Sequence, residues 1–372
     1  MGDCLKALRF IKKNAVFCIA AFVAVVTCFL VRPDKEYFDY FDWKTLSCLF
    51  LTLAVVCALR NIKFFTILAR KLVGLAGNLR SLILLLIIIT FIGSMIIAND
   101  MALITFLPLG YFALCVTKQE RYMVYLFVLQ NISANLGGML TPFGNPQNLY
   151  LYSYFNIPTG EFCKIMLPAF LLAVGLLVVA CLPIKAIKFN INENYGEKLN
   201  IKKTILYSVL FLVSILIVFR VIPFIIGLII IPIILFFVDR DSLKMVDYSL
   251  LGTFFFFFIF AGNLARLDSV NTIISTLLQK DTLLVSVLSC QFISNVPSAI
   301  LLSRFTTDYN ALLLGVNIGG TGTLIASLAS LITFNEFKIL YPTQTKKYMF
   351  IFTIANIVFV GVLTLAAKLF WC

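Results

Sequence analysis

The sequence predicts an all-α membrane protein with two inverted repeats, each holding a re-entrant helical hairpin and a broken transmembrane helix. About nine full spans accompany the two hairpins, with the N-terminus in and the C-terminus out. Three observations carry that expectation. The chain is 61% hydrophobic and 13% charged, against about 45–50% and about 25% for a soluble domain. Its basic residues sit between long apolar runs, as loop charge that sets orientation does. Segments too short or too polar for ordinary spans occur twice, in the same order.

In chain order, the start carries Lys6, Arg9, Lys12 and Lys13, then an apolar run over 15–31 with no small-residue cleavage site after it. That pattern is an uncleaved first span with a cytoplasmic N-terminus. The loop 32–44 mixes Asp34, Glu36, Asp39 and Asp42 with Arg32, Lys35 and Lys44, as an outer loop does. The span 45–59 then returns Arg60, Lys63, Arg70 and Lys71 to the cytoplasm, and an amphipathic segment covers 61–79. The stretch 81–117 is uncharged except for Asp100. Arg80 stands at one end, with Lys118 and Arg121 at the other, so both ends are cytoplasmic. A hairpin turning at Asn99-Asp100 satisfies that constraint; two full spans with an external turn also fit this segment taken alone.

A broken helix over 122–155 exits, and 162–183 returns to the basic loop 184–203 with Lys185, Lys188, Lys198, Lys202 and Lys203. Spans 204–219, 223–238 and 248–262 lead to a second amphipathic segment, 264–281. The hairpin 282–303 follows, turning at Ser294-Asn295-Val296-Pro297. At about 1.5 Å per residue its arms reach only halfway through the hydrocarbon. Irregular backbone at that depth is tolerated only inside protein or beside a water-filled cavity. The helix 309–334 returns to Lys338, Lys346 and Lys347, and 348–370 ends outside. Every strongly basic loop thus falls on one face.

The broken helices read NLGGMLTPFGNPQNL at 135–149 and NIGGTGTLIASLASL at 317–331. Without gaps they pair Asn135 with Asn317, Gly137-Gly138 with Gly319-Gly320, and Thr141 with Thr323. An apolar background gives chance matches of Leu and Ile, not of Asn, paired Gly and Thr in register. We therefore expect one membrane domain over 1–372: repeat 1 at 45–183, a linker and extra span at 184–222, and repeat 2 at 223–372.

Composition excludes several functions. The net charge of +13 is not a stripe interleaved with aromatics, so nucleic acid is not a partner. Histidine is absent, which removes His-based metal sites, Ser-His and Cys-His dyads and histidine relays. The ten cysteines lack disulfide-framework and metal-ligand spacing. An intramembrane aspartyl enzyme needs two facing acids at depth, and only Asp100 lies deep in an apolar run. No enzyme is expected; a channel is the remote alternative to a carrier.

A half-helix ending at the midplane offers backbone N–H groups at its N-terminus and carbonyls at its C-terminus. The first suits an anion and the second a cation such as Na⁺. Candidate binding residues are Asn99, Asp100, Gly138, Thr141, Gly144, Asn145 and Asn148 from the first copy. The second copy contributes Ser294, Asn295, Ser298, Gly320, Gly322, Thr323 and Ser327. Na⁺ sites are expected near Asn99, Asp100, Thr141 and Asn145, and near Asn295 and Thr323. An ionised carboxylate at the bilayer centre costs at least about 2.5–3.5 kcal/mol, which marks Asp100 as functional. The plainer roles are N-capping for Asp100, interhelical contact for Ser294-Asn295, and close helix packing for the Gly-Gly-x-x-Thr segments.

These residues resemble the ion transporter superfamily, which includes citrate and dicarboxylate carriers, divalent-anion/sodium symporters, and arsenite and Na⁺/H⁺ antiporters. Its Ser-Asn-Thr-like tips are matched by Ala98-Asn99-Asp100 and Ser294-Asn295-Val296. Its Gly-Gly-x-x-Thr motif and Gly-x-Pro-x-Asn-like turn are matched by Gly137 to Thr141 with Gly144 to Asn148, and by Gly319 to Thr323. The resemblance covers roughly 45–370. It implies an elevator-type secondary carrier in the plasma or inner membrane, usually a homodimer. It implies a small anionic substrate, lipid contact, Na⁺ or H⁺ as coupling ion, and no tightly bound cofactor. Two departures stand out: neither tip keeps a threonine, and Ser327-Leu328-Ala329-Ser330 replaces the second Pro-x-Asn turn. The Asn-Asp tip is closer to the arsenite and Na⁺/H⁺ antiporter side, which keeps those functions as the alternative.

Overall fold

The computed structural model describes residues 14–188 and 199–371; Lys6, Arg9, Lys12, Lys13 and Lys198 lie outside the described residues. Among those described there is no strand. The first part comprises α1 (Ala15–Leu30), α2 (Trp43–Asn61), α3 (Phe64–Val73), α4 (Leu79–Ile97) and α5 (Asn99–Val116). Next come α6 (Met123–Gly137), α7 (Pro146–Tyr154) and α8 (Thr159–Cys181). The connecting part is α9 (Ile201–Val218), α10 (Phe224–Val238) and α11 (Arg240–Lys244). The last is α12 (Tyr248–Ala265), α13 (Asp268–Ile293), α14 (Asn295–Leu302), α15 (Tyr309–Gly319), α16 (Leu328–Leu340) and α17 (Thr345–Phe370).

Short polar residues begin several of these helices by taking up free N–H groups. The Asp42 carboxylate accepts from Thr45 N at 2.9 Å to start α2, and Asp247 accepts from Leu250 N at 3.0 Å to start α12. Asn78 and Ser81 form a reciprocal capping box at α4.

Nine helices among the described residues are long and apolar enough to cross a membrane. Apolar side chains such as Phe22, Phe29, Phe237 and Ile357 lie exposed on their outer faces, as lipid requires. This makes the chain a multi-pass membrane protein. The membership of the nine differs from the spans expected from sequence. α4 and α5 qualify separately, whereas α1 and α10 are shorter, at 16 and 15 residues. The two hairpin regions also differ in length. α4 and α5 have 19 and 18 residues, about 27–29 Å each at helical rise. α13 is bent where Asp281 leaves helical geometry, and α14 has only eight residues. The Asp281 carboxylate caps the arm that follows, accepting from Leu284 N at 2.9 Å. The residues 282–293 therefore form a short arm, and the amphipathic segment 264–281 is continuous with it in one bent helix.

Two groups of helices pack around the polar centre. In one, α1 lies on α12, while α9 and α10 lie on α2. Asn263 Nδ2 donates to Thr27 Oγ1 at 3.2 Å between α12 and α1. The buried Asp239 carboxylate accepts from Asn61 Nδ2 at 2.9 Å and Tyr207 Oη at 3.1 Å, joining α2 and α9. In the other group, α4 and α5 pack on α6, and α13 and α14 pack on α15. Both helix pairs fold back on themselves. The Phe106 ring of α5 lies against Gly93 of α4, and the Ser289 and Ser298 hydroxyls meet at 2.9 Å across the α13–α14 turn.

Candidate functional site

The two turns are built alike. Ala98 joins α4 to α5 with φ 67° and ψ 154°; Ser294 joins α13 to α14 with φ 74° and ψ 159°. That conformation is nearly glycine-only, and holding a side chain there costs about 1–3 kcal/mol. In each, the following asparagine turns its side-chain oxygen back onto the next N–H. Asp100 N donates to Asn99 Oδ1 at 2.9 Å, and Val296 N donates to Asn295 Oδ1 at 2.9 Å.

The two interrupted helices follow one pattern. α6 ends at Gly137 and α15 at Gly319; α7 and α16 restart after Asn145 and Ser327, positions that match in the same gap-free register. Gly137 packs on Phe91 and Ser94 of α4, and Gly319 on Val287 and Cys290 of α13. These partners stand the same number of residues before their respective turns. The Thr141 hydroxyl donates to Met95 O at 2.8 Å, and the Thr323 hydroxyl donates to Gln291 O at 3.1 Å. Each carbonyl again lies three residues before its turn residue. Both threonines therefore tie an interrupted helix to a hairpin arm.

Between the two copies lies a lattice of buried amides. Asn317 Nδ2 donates to Asn148 Oδ1 at 2.6 Å, and Asn317 Oδ1 accepts from Asn145 Nδ2 at 3.3 Å and Gln147 Nε2 at 3.4 Å. Asn148 Nδ2 caps the end of the first half-helix, reaching Gly138 O at 3.1 Å and Met139 O at 3.2 Å. Asn99 Nδ2 reaches Asn135 Oδ1 at 3.4 Å. Asn131 Nδ2 donates to Thr333 Oγ1 at 3.2 Å, and Asn131 Oδ1 accepts from the Ser330 hydroxyl at 3.3 Å. Such a lattice fixes the crossing of the two interrupted helices, because any unpaired member would be costly in a dry interior.

A cavity of about 230 Å³ opens beside this lattice. From the two turns it is lined by Asn99, Asp100, Ser294 and Asn295; from the restarted half-helices, by Pro146, Gln147, Leu328 and Asn335. Asp247, which caps α12, Thr253 of α12 and the first turn of α1 close the remaining side. The N-terminal ends of four helices from the two matched halves, α5, α7, α14 and α16, thus meet at one cavity, with the N-terminal turns of α1 and α12 on its other side. The Oδ1 of Asp100 and the Oε1 of Gln147 are buried without a hydrogen-bond partner. Asn145 Oδ1 and Asn135 Nδ2 are likewise unpartnered, deeper in the lattice.

Of the residues singled out from sequence, Asn99, Asp100, Ser294 and Asn295 line the cavity. Asn145 and Asn148 belong to the lattice, and Gly138, Gly144 and Gly320 permit its close approaches. Asn145 Oδ1 stands 2.3 Å from where a Cβ on Gly138 would be, and Asn295 Nδ2 stands 2.9 Å from one on Gly320. Gly322 takes φ 127°, Thr323 is exposed, Ser298 bridges the α13–α14 turn, and Ser327 accepts from Ser330 N at 3.1 Å to cap α16. Sequence reasoning missed Gln147, Asn335 and Asp247 as lining residues. The only signal Asp247 carried was that of a helix cap, like Asp42 before Trp43, which says nothing of a cavity.

These features define a multi-pass membrane protein whose buried polar residues converge on helix breaks. The family model for citrate transporters matches residues 7–311, so the chain belongs to the citrate transporter family and is a membrane transporter of that type. An uncharacterized transporter of Methanocaldococcus jannaschii is 33% identical over 348 residues, spanning 92% of this chain and 94% of the relative. The inner membrane protein YbiR of Escherichia coli is 28% identical over 340 residues, 88% and 89% of the two chains. A silicon efflux transporter of Oryza sativa subsp. japonica is 29% identical over 163 residues, covering 43% of this chain and 33% of that one.

Proposed function

We propose that this transporter is a secondary carrier for a small anion, a carboxylate or inorganic oxyanion, driven by Na⁺ or H⁺. The observation that carries the reading is the convergence of four helix N-terminal ends, α5, α7, α14 and α16, on one cavity. Each such end carries roughly half a positive charge, and the four fields add where the ends meet. The asparagine side chains supply neutral donors that orient oxygen atoms of a solute.

In this reading the matched segments are two inverted repeats. α4–α5, the α13–α14 turn and the interrupted helices move as one body past α1, α2, α9, α10 and α12, in an elevator motion. The amide lattice supports that division, since it binds the two interrupted helices to each other. Asp100 carries the coupling cation at the first turn, and the carrier works as a homodimer.

A second reading has its own support. No Lys or Arg is among the described residues lining the cavity, and Asp100 and Asp247 are its charged groups. That lining favours a cation or an uncharged oxyacid over a multivalent anion, as in Na⁺/H⁺ antiport or arsenite efflux. Efflux of a silicon compound is named for one relative. Uptake into proteoliposomes of carboxylates, sulfate, arsenite and Na⁺, with and without imposed Na⁺ and pH gradients, decides between them. Gradient-driven accumulation of a carboxylate or sulfate supports the first reading; arsenite or Na⁺ flux alone overturns it. Single-channel currents far above carrier turnover would replace both with a channel.

A further inference from the structure

Resting on the transport reading above, we propose that Asp247 is a specificity-determining partner of Asp100. The two carboxylates, with the Gln147 amide oxygen, form the place where the coupling cation sits. All three residues line the same cavity. Two carboxylates that share a cavity with no basic side chain among the described lining residues repel each other; the helix ends offset part of that charge, and a proton or metal cation lying between the two offsets the rest. Gln147 is 1% exposed. Its Nε2 reaches Asn317 Oδ1 at 3.4 Å, which leaves the Oε1 end unpartnered at the cavity. Asp100 Oδ1 is unpartnered too. Buried oxygens that only accept call for a donor or a cation.

The capping role of Asp247 does not account for its whole carboxylate. At the matching helix start, Asp42 accepts from Thr45 N at 2.9 Å with one oxygen and from the Thr45 hydroxyl at 2.6 Å with the other. Asp247 accepts from Leu250 N at 3.0 Å, but Leu250 has no hydroxyl to occupy the second oxygen.

Among the described residues, the neighbouring charges are engaged elsewhere. Arg60 reaches Met101 Sδ at 3.7 Å, Arg240 covers the Phe236 ring, and Lys244 pairs with Asp241 at 2.8 Å. Glu336, exposed on α16, is not a lining residue, and neither are Arg70 and Lys71 of α3.

Asp247 caps α12, in the helix group of α1, whereas Asp100 and Gln147 belong to the group that would move. A cation bound by both groups is therefore held only while the two are apposed in this position. Cation occupancy is then linked to the position of the moving body.

The test uses the full-length chain with Asp247→Asn, which keeps a capping side chain and removes the charge, beside Asp42→Asn as the capping control. In detergent, thermal stability is titrated with NaCl against choline chloride at fixed pH, and with pH at fixed Na⁺. In proteoliposomes, flux of whichever solute the uptake panel identifies is measured over the same two titrations. We expect Asp247→Asn to shift the Na⁺ or proton midpoint by about tenfold or more, with Asp42→Asn within about twofold of wild type. A midpoint in Asp247→Asn equal to that in Asp42→Asn overturns the proposal, as does a wild type with no cation dependence in either titration. The stability titration needs no cargo, so an intact cation site in a chain that moves no solute would sink the transport reading and leave this one standing.

Discussion

The two turns at the centre of the molecule share a backbone and differ in one chemical group. Ala98-Asn99 and Ser294-Asn295 adopt nearly the same strained conformation, and each asparagine folds back on the next N–H at 2.9 Å. The residue that follows is Asp100 in one and Val296 in the other. A shared frame with unequal occupants separates two roles: the strained turn presents a helix start to the cavity, and the acid adds charge at one start only. The frame is therefore common to both turns, and the acid belongs to the first alone.

The largest effect should come from removing that inequality. Asp100→Asn keeps the size and removes the charge, and the side chain makes no capping bond to lose. Cation-dependent flux should fall at least about tenfold while the protein elutes and melts as wild type. Unchanged Na⁺ and pH dependence in this variant would erase the functional distinction between the turns. Next in size are the glycines that let each interrupted helix approach its arm. A Cβ on Gly137 would lie 2.2 Å from the Phe91 carbonyl oxygen, which cannot move without the backbone. On Gly319 it would meet Cys290 Cβ at 2.9 Å and, at 3.0 Å, Cys290 Sγ and the backbone Cα of Val287, a looser fit than the 2.2 Å at Gly137. Gly137→Ala should cost roughly 1–3 kcal/mol of stability, and Gly319→Ala less. Equal losses of melting temperature would show that the second copy is packed as rigidly as the first.

The matched segments were more legible in the sequence than the lining of the cavity, for a physical reason. Asn, paired Gly and Thr stand out against an apolar background, so the interrupted helices and their register were legible before any coordinates. The arms of the first hairpin were not. Apolar residues look alike whether a helix of 18 or 19 residues crosses the membrane or turns within it. The threonines were visible as polar groups, but their attachment to Met95 and Gln291 depends on which arm the helix meets, a tertiary fact. Asp247 was hidden for the opposite reason. It lies at a loop boundary among Asp239, Arg240, Asp241 and Lys244, where an acid looks like ordinary surface charge. Only the folding of α12 against the turns brings it to the cavity.

The same comparison sorts two weaker effects. Ala98→Gly removes a left-handed strain and no hydrogen bond, so it should stabilise by about 1 kcal/mol. Ser294→Gly removes the same strain but also the Ser294 hydroxyl, which donates to Ala326 O at 3.3 Å. Its gain should be smaller. A rise in melting temperature with a fall in transport for Ala98→Gly would mean that the strained turn is maintained for function. A fall in melting temperature would mean that the turn is not strained. Smallest of all is the pair Thr141→Val and Thr323→Val. The first breaks a partly buried bond of 2.8 Å to Met95 O, the second an exposed one of 3.1 Å to Gln291 O. A net hydrogen bond contributes about 1 kcal/mol where water is excluded and less where water can replace it. Thr141→Val should therefore lower stability by about that amount, and Thr323→Val by a fraction of it. If the two variants melt together, the second arm is as shielded from water as the first.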